Sequence, residues 1–179
     1  MLISTWATNL GIQVLHFTDE SNLELIVDRG GLFSWWTLQQ RRLPIRHPGG
    51  TARSRQLDSE RKLHDYVRLC FVWNHPMQYV ATREGRIPNP RYIELDPTVL
   101  DLPGTLFSDM NACDRDASVG GGLAWFQQNI DWDLIVDGDG GEYTFRNEIN
   151  MRGPMFGDPK KRWQAEALVP KHVPIQYVK

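Results

Sequence analysis

The sequence predicts an α+β fold, and three observations support this prediction. Strand-like segments alternate irregularly with short helical segments of unequal length, which differs from the regular rhythm of a doubly wound parallel sheet. The chain has 179 residues, of which 41% are hydrophobic and 23% charged, as expected for one globular domain with a buried core. Its glycine clusters at 120–122 and 138–141 match neither the G-x-G-x-x-G turn of a Rossmann fold nor a phosphate loop with its lysine. We therefore expect one α+β domain over residues 1–179.

The elements of the N-terminal part follow from periodicity and turn signals. Residues 12–17 alternate loosely between apolar and polar side chains and predict a strand. Asp19 or Ser21 can cap a helix whose apolar positions share one face, and a Gly-Gly pair ends this helix. Residues 32–34 read as a short strand. Residues 43–63 contain several prolines and glycines without clear periodicity, so we expect a long basic loop there.

The strongest strand signal of the chain lies at residues 66–73, which are rich in aromatic and branched side chains. A proline at position 76 is typical of a helix start, and a short helix is expected there. The remaining expected elements are strands at 91–95 and 105–108, a helix at 121–129, an irregular segment at 142–155, and strands at 162–170 and 174–178.

Charge is distributed unevenly along a chain whose formal net charge is -2. Eight basic and three acidic residues lie between Arg41 and Arg68, and five acidic residues lie between Asp131 and Glu142. The net charge excludes a uniformly basic nucleic-acid binder but allows a local basic patch. The basic segment is either a solvated loop or a site for a phosphate-rich ligand. The acidic stretch is expected to be a surface hairpin, because its spacing does not match a calcium loop.

Metal binding and membrane insertion find no support in the sequence. Cys70 and Cys113 are far apart, and neither they nor the five histidines show the spacing of metal ligands. We expect no metal and two buried thiols in a reducing compartment. No secretion signal or membrane-spanning apolar run is visible, so the expected location is the cytoplasm.

Glu166 is the most informative single residue, because it interrupts an apolar, strand-like run. A carboxylate in apolar surroundings is costly unless it has a partner or a function. On a strand, Gln164 and Glu166 would point to one face, and Ala165, Ala167 and Val169 to the other. An amide beside a carboxylate suits an enzyme that binds a sugar hydroxyl and stabilises a cationic ribose. The alternative is a plain charge on an edge strand.

Several further motifs occur in a fixed order along the chain. They are His16-Phe17-Thr18, Asn22-Leu23, the glycine turn before Leu32-Phe33-Ser34, Leu63-His64-Asp65-Tyr66-Val67, Pro76-Met77-Gln78-Tyr79, Phe107-Ser108-Asp109 and Gln164-Ala165-Glu166. Together they resemble the DarT family, the DNA-targeting ADP-ribosyltransferase toxins of toxin–antitoxin pairs. The resemblance covers residues 15–178, and its specificity lies in the order and spacing of the motifs.

The resemblance implies an ADP-ribosyltransferase fold: two small packed β-sheets with flanking helices and a central cleft that binds NAD+ as co-substrate. It also implies roles for individual residues. Glu166 matches the catalytic glutamate, and the catalytic arginine is Arg55, with Arg53 second and Arg42 third. The implied NAD-binding residues are His16, Thr18, Asn22, Leu23, Ser34, Arg55 and Tyr66. The implied DNA-binding residues are Asn111, Met77, Gln164, Trp163 and Arg42. Taken alone, His16 is more often a satisfied core histidine.

The implied reaction transfers ADP-ribose from NAD+ to a base of single-stranded DNA. Better-known thymine-modifying members carry a histidine where this chain has Asn111, so both thymine and guanine stay open as the target. Trp35, Trp36, Trp73 and Trp163 are candidate stacking surfaces for bases. A cognate antitoxin with macrodomain-type ADP-ribosyl-hydrolase activity is the implied partner. The alternatives are transfer to protein, RNA or water, and a non-catalytic module that binds single-stranded nucleic acid.

Overall fold

The computed structural model describes residues 1–137 and 158–179, and within them the strands form two antiparallel sheets. In chain order the strands are β1 (Val14–Asp19), β2 (Gly31–Phe33), β3 (Tyr66–Cys70), β4 (Pro90–Leu95), β5 (Leu106–Ser108), β6 (Val119–Gly120), β7 (Glu166–Pro170) and β8 (His172–Pro174). The main sheet has the spatial order β4-β1-β3-β7-β5-β6, and β2 pairs with β8 in the second sheet. This architecture confirms the predicted α+β class with two sheets.

Short helices surround the sheets. They are α1 (Ile3–Asn9), α2 (Leu23–Asp28), α3 (Trp35–Gln40), α4 (Ala52–Glu60), α5 (Pro76–Arg83), α6 (Leu123–Asn129), α7 (Trp132–Asp137) and α8 (Pro159–Arg162), with 3-10 turns at Glu20–Asn22, Pro97–Asp101 and Ile175–Tyr177. Several of these elements begin with a side-chain cap. The Ser34 hydroxyl accepts a hydrogen bond from the Thr37 amide at the start of α3, and Asp19 accepts one from the Ser21 amide.

One face of the main sheet packs against the hydrophobic core. Its buried side chains include Val67, Leu69, Phe107, Ala167 and Val169. Rings from α6 and α7 cover this face, and the ring centroids of Phe126 and Trp132 lie 4.6 Å apart. Because side chains alternate along a strand, Arg68 and Glu166 point to the opposite face. The alternation predicted around Glu166 is therefore confirmed for β7.

Strands β1 and β3 separate after a single point of contact. Leu15 lies opposite Cys70, and this is the one register pair between the two strands in the described part of the sheet. Beyond it, the His16 ring spans the gap, with its Nδ1 atom 2.9 Å from the carbonyl oxygen of Arg68. The side chain replaces a backbone ladder bond. The separation opens a cleft in the middle of the sheet.

Three of the predicted elements outside the acidic stretch are wrong. Residues 43–63 include helix α4, which begins with a capping box in which the side chains of Thr51 and Ser54 bond each other's backbone amides. The strand predicted at 162–170 begins only at Glu166, because the chain is helical up to Arg162 and turns at 163–164. Of the strand predicted at 174–178, Pro174 ends β8, residues 175–177 form a 3-10 turn, and Val178 makes a bridge with Leu95.

The acidic stretch begins with helix α7 rather than with a hairpin. The rest of that stretch and the irregular segment expected at 142–155 lie outside the described residues. None of the described helices is long and apolar enough to cross a membrane.

His75 makes the stability of the fold depend on pH. Its side chain caps α5, and its Nδ1 atom accepts a hydrogen bond from the Met77 amide at 3.2 Å, so a neutral ring carries its proton on Nε2. The residue is 1% exposed, its ring stacks on Phe17, and burial lowers its pKa from 6.5 to about 4. Between these two pH values the unfolded chain binds the extra proton and the folded chain does not.

We therefore expect the free energy of unfolding to fall as pH decreases from 6.5 to 4, with ~3 kcal/mol of the loss due to His75. Urea denaturation of the wild type and of His75→Asn at pH 7 and pH 4 tests this prediction. Asn keeps a good helix cap but does not titrate. Other titrating groups are common to both proteins, so an equal pH-dependent loss in both would contradict the assignment to His75.

Candidate active site

The cleft between β1 and β3 collects side chains from elements that are distant in sequence. It is lined by residues of β1, β2, β3, α3, α4 and α5, by the 45–50 segment and the loop after β5, and by Glu166 at the start of β7. Of the residues with an implied catalytic, NAD-binding or DNA-binding role, eight lie on this one cleft: His16, Thr18, Ser34, Arg55, Tyr66, Met77, Asn111 and Glu166.

Glu166 lies between two neighbouring strands, opposite Cys70 of β3 and Ser108 of β5. Its Oε2 atom accepts hydrogen bonds from Nη1 of Arg68 at 3.0 Å and from the backbone amide of Ala112 at 2.9 Å. Its side chain is only 12% exposed, and burial raises its pKa, while Arg68 and the Ala112 amide oppose that shift. Since both bonds use Oε2, the Oε1 atom is available to a ligand in the cleft.

Arg68 is a functional candidate that the sequence reasoning missed. Its guanidinium binds Glu166 through Nη1 and the Asp58 carboxylate of α4 through Nη2. Burial alone would lower the pKa of Arg68, but the two carboxylates raise it, so the side chain stays charged. The signal was present in the sequence. Arg68 is a charged residue inside the strongest strand of the chain, which is the same anomaly that drew attention to Glu166.

His16 and Thr18 lie on the cleft side of β1, as the resemblance implies. Burial lowers the pKa of His16, so the ring is neutral near pH 7. A neutral ring that donates from Nδ1 to the Arg68 carbonyl presents Nε2 as an acceptor. Thr18 is buried, and its hydroxyl accepts a hydrogen bond from the side-chain Nδ2 of Asn22 at 3.3 Å.

Asn22 and Leu23 do not line the main cleft. Asn22 lies in an adjoining pocket. Its side-chain Nδ2 donates to the His47 carbonyl at 3.0 Å, and its Oδ1 accepts from the backbone amide of Arg46 at 3.0 Å. It therefore fixes the 45–50 segment against β1 and acts on the cleft indirectly. Leu23 packs against the hydrophobic core. The geometry gives Leu23 a packing role instead of the implied ligand contact.

Arg55 is the one arginine of the three sequence candidates that lines the cleft. Its guanidinium lies 3.6 Å from the ring centroid of Trp35, and its Nη2 donates to the Gly50 carbonyl at 2.8 Å. Burial, with a smaller effect of Arg86, lowers its pKa. Arg53 is exposed and bonds Gln56 at 3.3 Å, and Arg42 is exposed at a turn with φ 54°. The structure places Arg53 and Arg42 outside the cleft.

A second pocket adjoins the cleft at Met77 and Asn111, and it also contains Gln164. Three of the five implied DNA-binding residues therefore share one surface. Gln164 is not a strand neighbour of Glu166, however, because it lies in a turn. There its side-chain Nε2 donates to the Lys160 carbonyl at 3.0 Å. The predicted side-by-side pair of Gln164 and Glu166 on one strand is wrong.

Trp163 is 2% exposed and belongs to the hydrophobic core, so its predicted contact with DNA is wrong. Trp35 is half-buried beneath Arg55 in the cleft, and Trp36 and Trp73 are exposed elsewhere.

Within the described residues, no group of three or more His, Cys, Asp and Glu side chains could hold a metal ion.

Comparison with known proteins gives one family and several similar structures. The family model described as "ssDNA thymidine ADP-ribosyltransferase, DarT" matches residues 15–179. No curated protein is significantly similar in sequence to this chain. Thermus sp. 2.9 DarT in complex with ADP-ribosylated ssDNA is 19% identical, with a TM-score of 0.68 over 93% of this chain and 78% of that chain.

Two further structures agree. Thermus sp. 2.9 DarT in complex with NAD+ is 20% identical, with a TM-score of 0.61 over 94% of this chain and 79% of that chain. Thermosipho africanus DarTG in complex with ADP-ribose is 16% identical, with a TM-score of 0.67 over 94% of this chain but only 43% of that longer chain. At these identities the likeness shows a common fold, which is the one implied by the sequence motifs.

Proposed function

The chain belongs to the DarT family of single-stranded-DNA thymidine ADP-ribosyltransferases, and from this membership we propose a function for each group in the cleft. As a DarT enzyme, it transfers ADP-ribose from NAD+ to a base of single-stranded DNA and releases nicotinamide. We propose that Glu166 is the catalytic carboxylate. The observation that carries this proposal is a largely buried carboxylate, held by Arg68 and the Ala112 amide, on the wall of a cleft.

The chemistry of the reaction explains why a carboxylate is needed. Breaking the bond between nicotinamide and ribose leaves an oxocarbenium-like ribose, as in glycoside hydrolysis. Glu166 can accept a hydrogen bond from a ribose hydroxyl through Oε1 and stabilise the positive charge that develops. The same carboxylate can take the proton from the attacking ring nitrogen of the base. One side chain thereby serves both halves of the transfer.

The other cleft residues fit the remaining parts of NAD+. Arg55 can bind the pyrophosphate, for which a planar bidentate donor is better suited than an ammonium group. His16, with Nε2 as an acceptor, can bind a hydroxyl or amide donor of the ligand. Ser34 is a weaker candidate because its hydroxyl already donates to Asp65 at 2.7 Å and accepts from the Thr37 amide at 3.1 Å. Tyr66 contributes an aromatic wall.

The second pocket is the proposed site of the target base. The Oδ1 atom of Asn111 accepts a hydrogen bond from the Cys113 amide at 2.9 Å, which leaves the Nδ2 hydrogens to donate to a base. Both thymine and guanine carry a ring carbonyl that accepts such a bond. The family description favours thymine, and Asn111 is the observation that keeps guanine as the second candidate. The base must be unpaired, since a ring nitrogen inside a duplex cannot be reached.

Mass spectrometry of oligonucleotides incubated with the protein and NAD+ tests the function and the base together. We expect an ADP-ribose adduct on single strands that contain thymine and none on strands that lack it. An adduct confined to guanine-containing strands would reassign the base. ADP-ribose found only on protein, on RNA or free in solution would contradict a DNA acceptor. DNA binding without any product would indicate the non-catalytic module.

We further propose that residues 1–179 act as one domain, because the family match extends over residues 15–179. The expected partner is an antitoxin with ADP-ribosyl-hydrolase activity, since such an activity reverses the modification. The proposed compartment is the cytoplasm. Two free cysteines, Cys70 and Cys113, are consistent with a reducing environment.

A further inference from the structure

We propose that Arg68 is the positioning residue of Glu166, and that it acts within a ring of hydrogen bonds, closed through the backbone of α4, that ties β3, α4 and the loop after β5 to the start of β7. The proposal rests on the catalytic role of Glu166 and adds to it the group that orients the carboxylate and keeps it charged. The ring contains Glu166, Arg68, Asp58, Arg61 and Ala112.

The ring can be followed contact by contact. Arg68 donates from Nη1 to Glu166 and from Nη2 to Asp58, which lies on α4. The backbone of α4 connects Asp58 to Arg61, the residue that directly follows the helix, and Arg61 donates to the Ala112 carbonyl at 2.9 Å. The Ala112 amide donates to Oε2 of Glu166 at 2.9 Å, which closes the ring. The side chain of Arg61 also bonds the carbonyls of Asp114 and Ala117, so it holds the whole loop that begins at Asn111.

The arrangement fixes Glu166 from two directions. Arg68 approaches Oε2 from the neighbouring strand, and the Ala112 amide approaches the same atom from the loop. Two donors on one oxygen restrict rotation of the carboxylate and leave Oε1 for the ligand. A catalytic group held in this way loses less rotational freedom when the transition state forms. The same contacts join the carboxylate to the loop of Asn111, where the target base is proposed to bind.

Arg68 also decides the charge of Glu166. The titratable groups around the carboxylate are Arg68 and Cys70 from β3, Asp58 from α4 and Cys113 from the loop. Burial raises the pKa of both thiols to about 12, so they are neutral near pH 7. Asp58 disfavours a second negative charge nearby. Arg68 is therefore the one cation among these groups, and without it burial would favour the protonated form of Glu166.

A carbon-13 NMR titration of the Glu166 carboxyl provides a readout that does not depend on activity. The signal is assigned in carboxyl-labelled protein by its absence from Glu166→Gln. We expect Arg68→Met to raise the pKa of Glu166 by about 1 to 3 units, because an adjacent arginine lowers a carboxyl pKa by about that amount. Arg68→Lys keeps a cation and is expected to recover most of the shift. Arg83→Met, an exposed site at the end of α5, is the matched control and should give no shift.

Enzyme kinetics then test the consequence for catalysis. For Arg68→Met, kcat at pH 7 should fall by about 10- to 100-fold, the KM for NAD+ should change little, and the ratio to wild-type kcat should recover toward pH 9. A loss that is equal at every pH, or a rise in KM with an unshifted carboxyl pKa, would overturn the proposal and make Arg68 a scaffold or ligand-binding residue. A shifted pKa in a protein that transfers no ADP-ribose would overturn the proposed function instead.

Discussion

Replacing Glu166 with Gln is expected to lower the rate of ADP-ribose transfer by at least about 1000-fold. The losses of an electrostatic contact and of a general base each cost about 100-fold or more, and this carboxylate is proposed to supply both. Gln keeps the size of the side chain, and its amide oxygen can still accept the Ala112 hydrogen bond. What it removes is the negative charge at the ribose and the acceptor for the proton.

The fold should survive this substitution, because Arg68 retains its ion pair with Asp58 when Glu166 becomes neutral. Nicotinamide release and oligonucleotide mass are the measurements, together with thermal unfolding of the variant. Glu94→Gln makes the same chemical change at a partly exposed pair with Lys179 on the far edge of the sheet, and it should keep near-wild-type activity. A Glu166→Gln protein that folds and keeps more than a tenth of the wild-type rate would contradict the catalytic assignment.

The parts of the fold that the sequence predicted correctly are those with strong local patterns. The strand around Val67 and Leu69 and the helix that starts at Pro76 lie where expected, because branched residues and a proline are favoured at such positions. The alternation of Ala167 and Val169 against Glu166 was also correct. In each case a few adjacent residues determine the local structure.

Helix α4 shows why other elements escaped prediction. It has no fully buried residue, so no apolar periodicity distinguishes it from a loop. Its start is marked only by the capping box of Thr51 and Ser54, in which Ser takes the place of the more usual Glu or Gln. The prolines and glycines just before it favour a loop instead. As a result, Asp58 and Arg61, which face the site from this helix, were missed.

The site itself depends on contacts that no local pattern contains. Arg68 and Glu166 are 98 positions apart, and their pairing follows from the register in which Cys70 lies opposite Glu166. The sequence marks Glu166 as a charge within an apolar run, but the identity of its partner depends on this strand pairing. Trp163 failed for the related reason that exposure is a tertiary property: an aromatic residue beside a catalytic motif can equally well belong to the core.

Replacing Arg55 with Met is expected to lower kcat/KM for NAD+ by about 100-fold, mainly through a higher KM. The guanidinium is proposed to bind the pyrophosphate, and two charge-assisted hydrogen bonds of this kind account for roughly 3 kcal/mol. Stacking on Trp35 and the bond to the Gly50 carbonyl hold the side chain in the cleft before the ligand arrives, so the cost of ordering it is already met by the fold. Steady-state kinetics with varied NAD+ measure the effect.

Arg53→Met is the discriminating comparison, because it removes an arginine from the same helix, two positions away, whose side chain is exposed outside the cleft. We expect its kcat/KM to stay within about twofold of wild type, since exposed charges removed from a ligand contribute little. Arg55→Lys should recover only part of the loss, because an ammonium group lacks the planar, bidentate geometry and the stacking surface. If Arg53→Met were the damaging variant and Arg55→Met the neutral one, the pyrophosphate would have to bind on the outer face of α4. The cleft that contains Glu166 would then not be the NAD+ site.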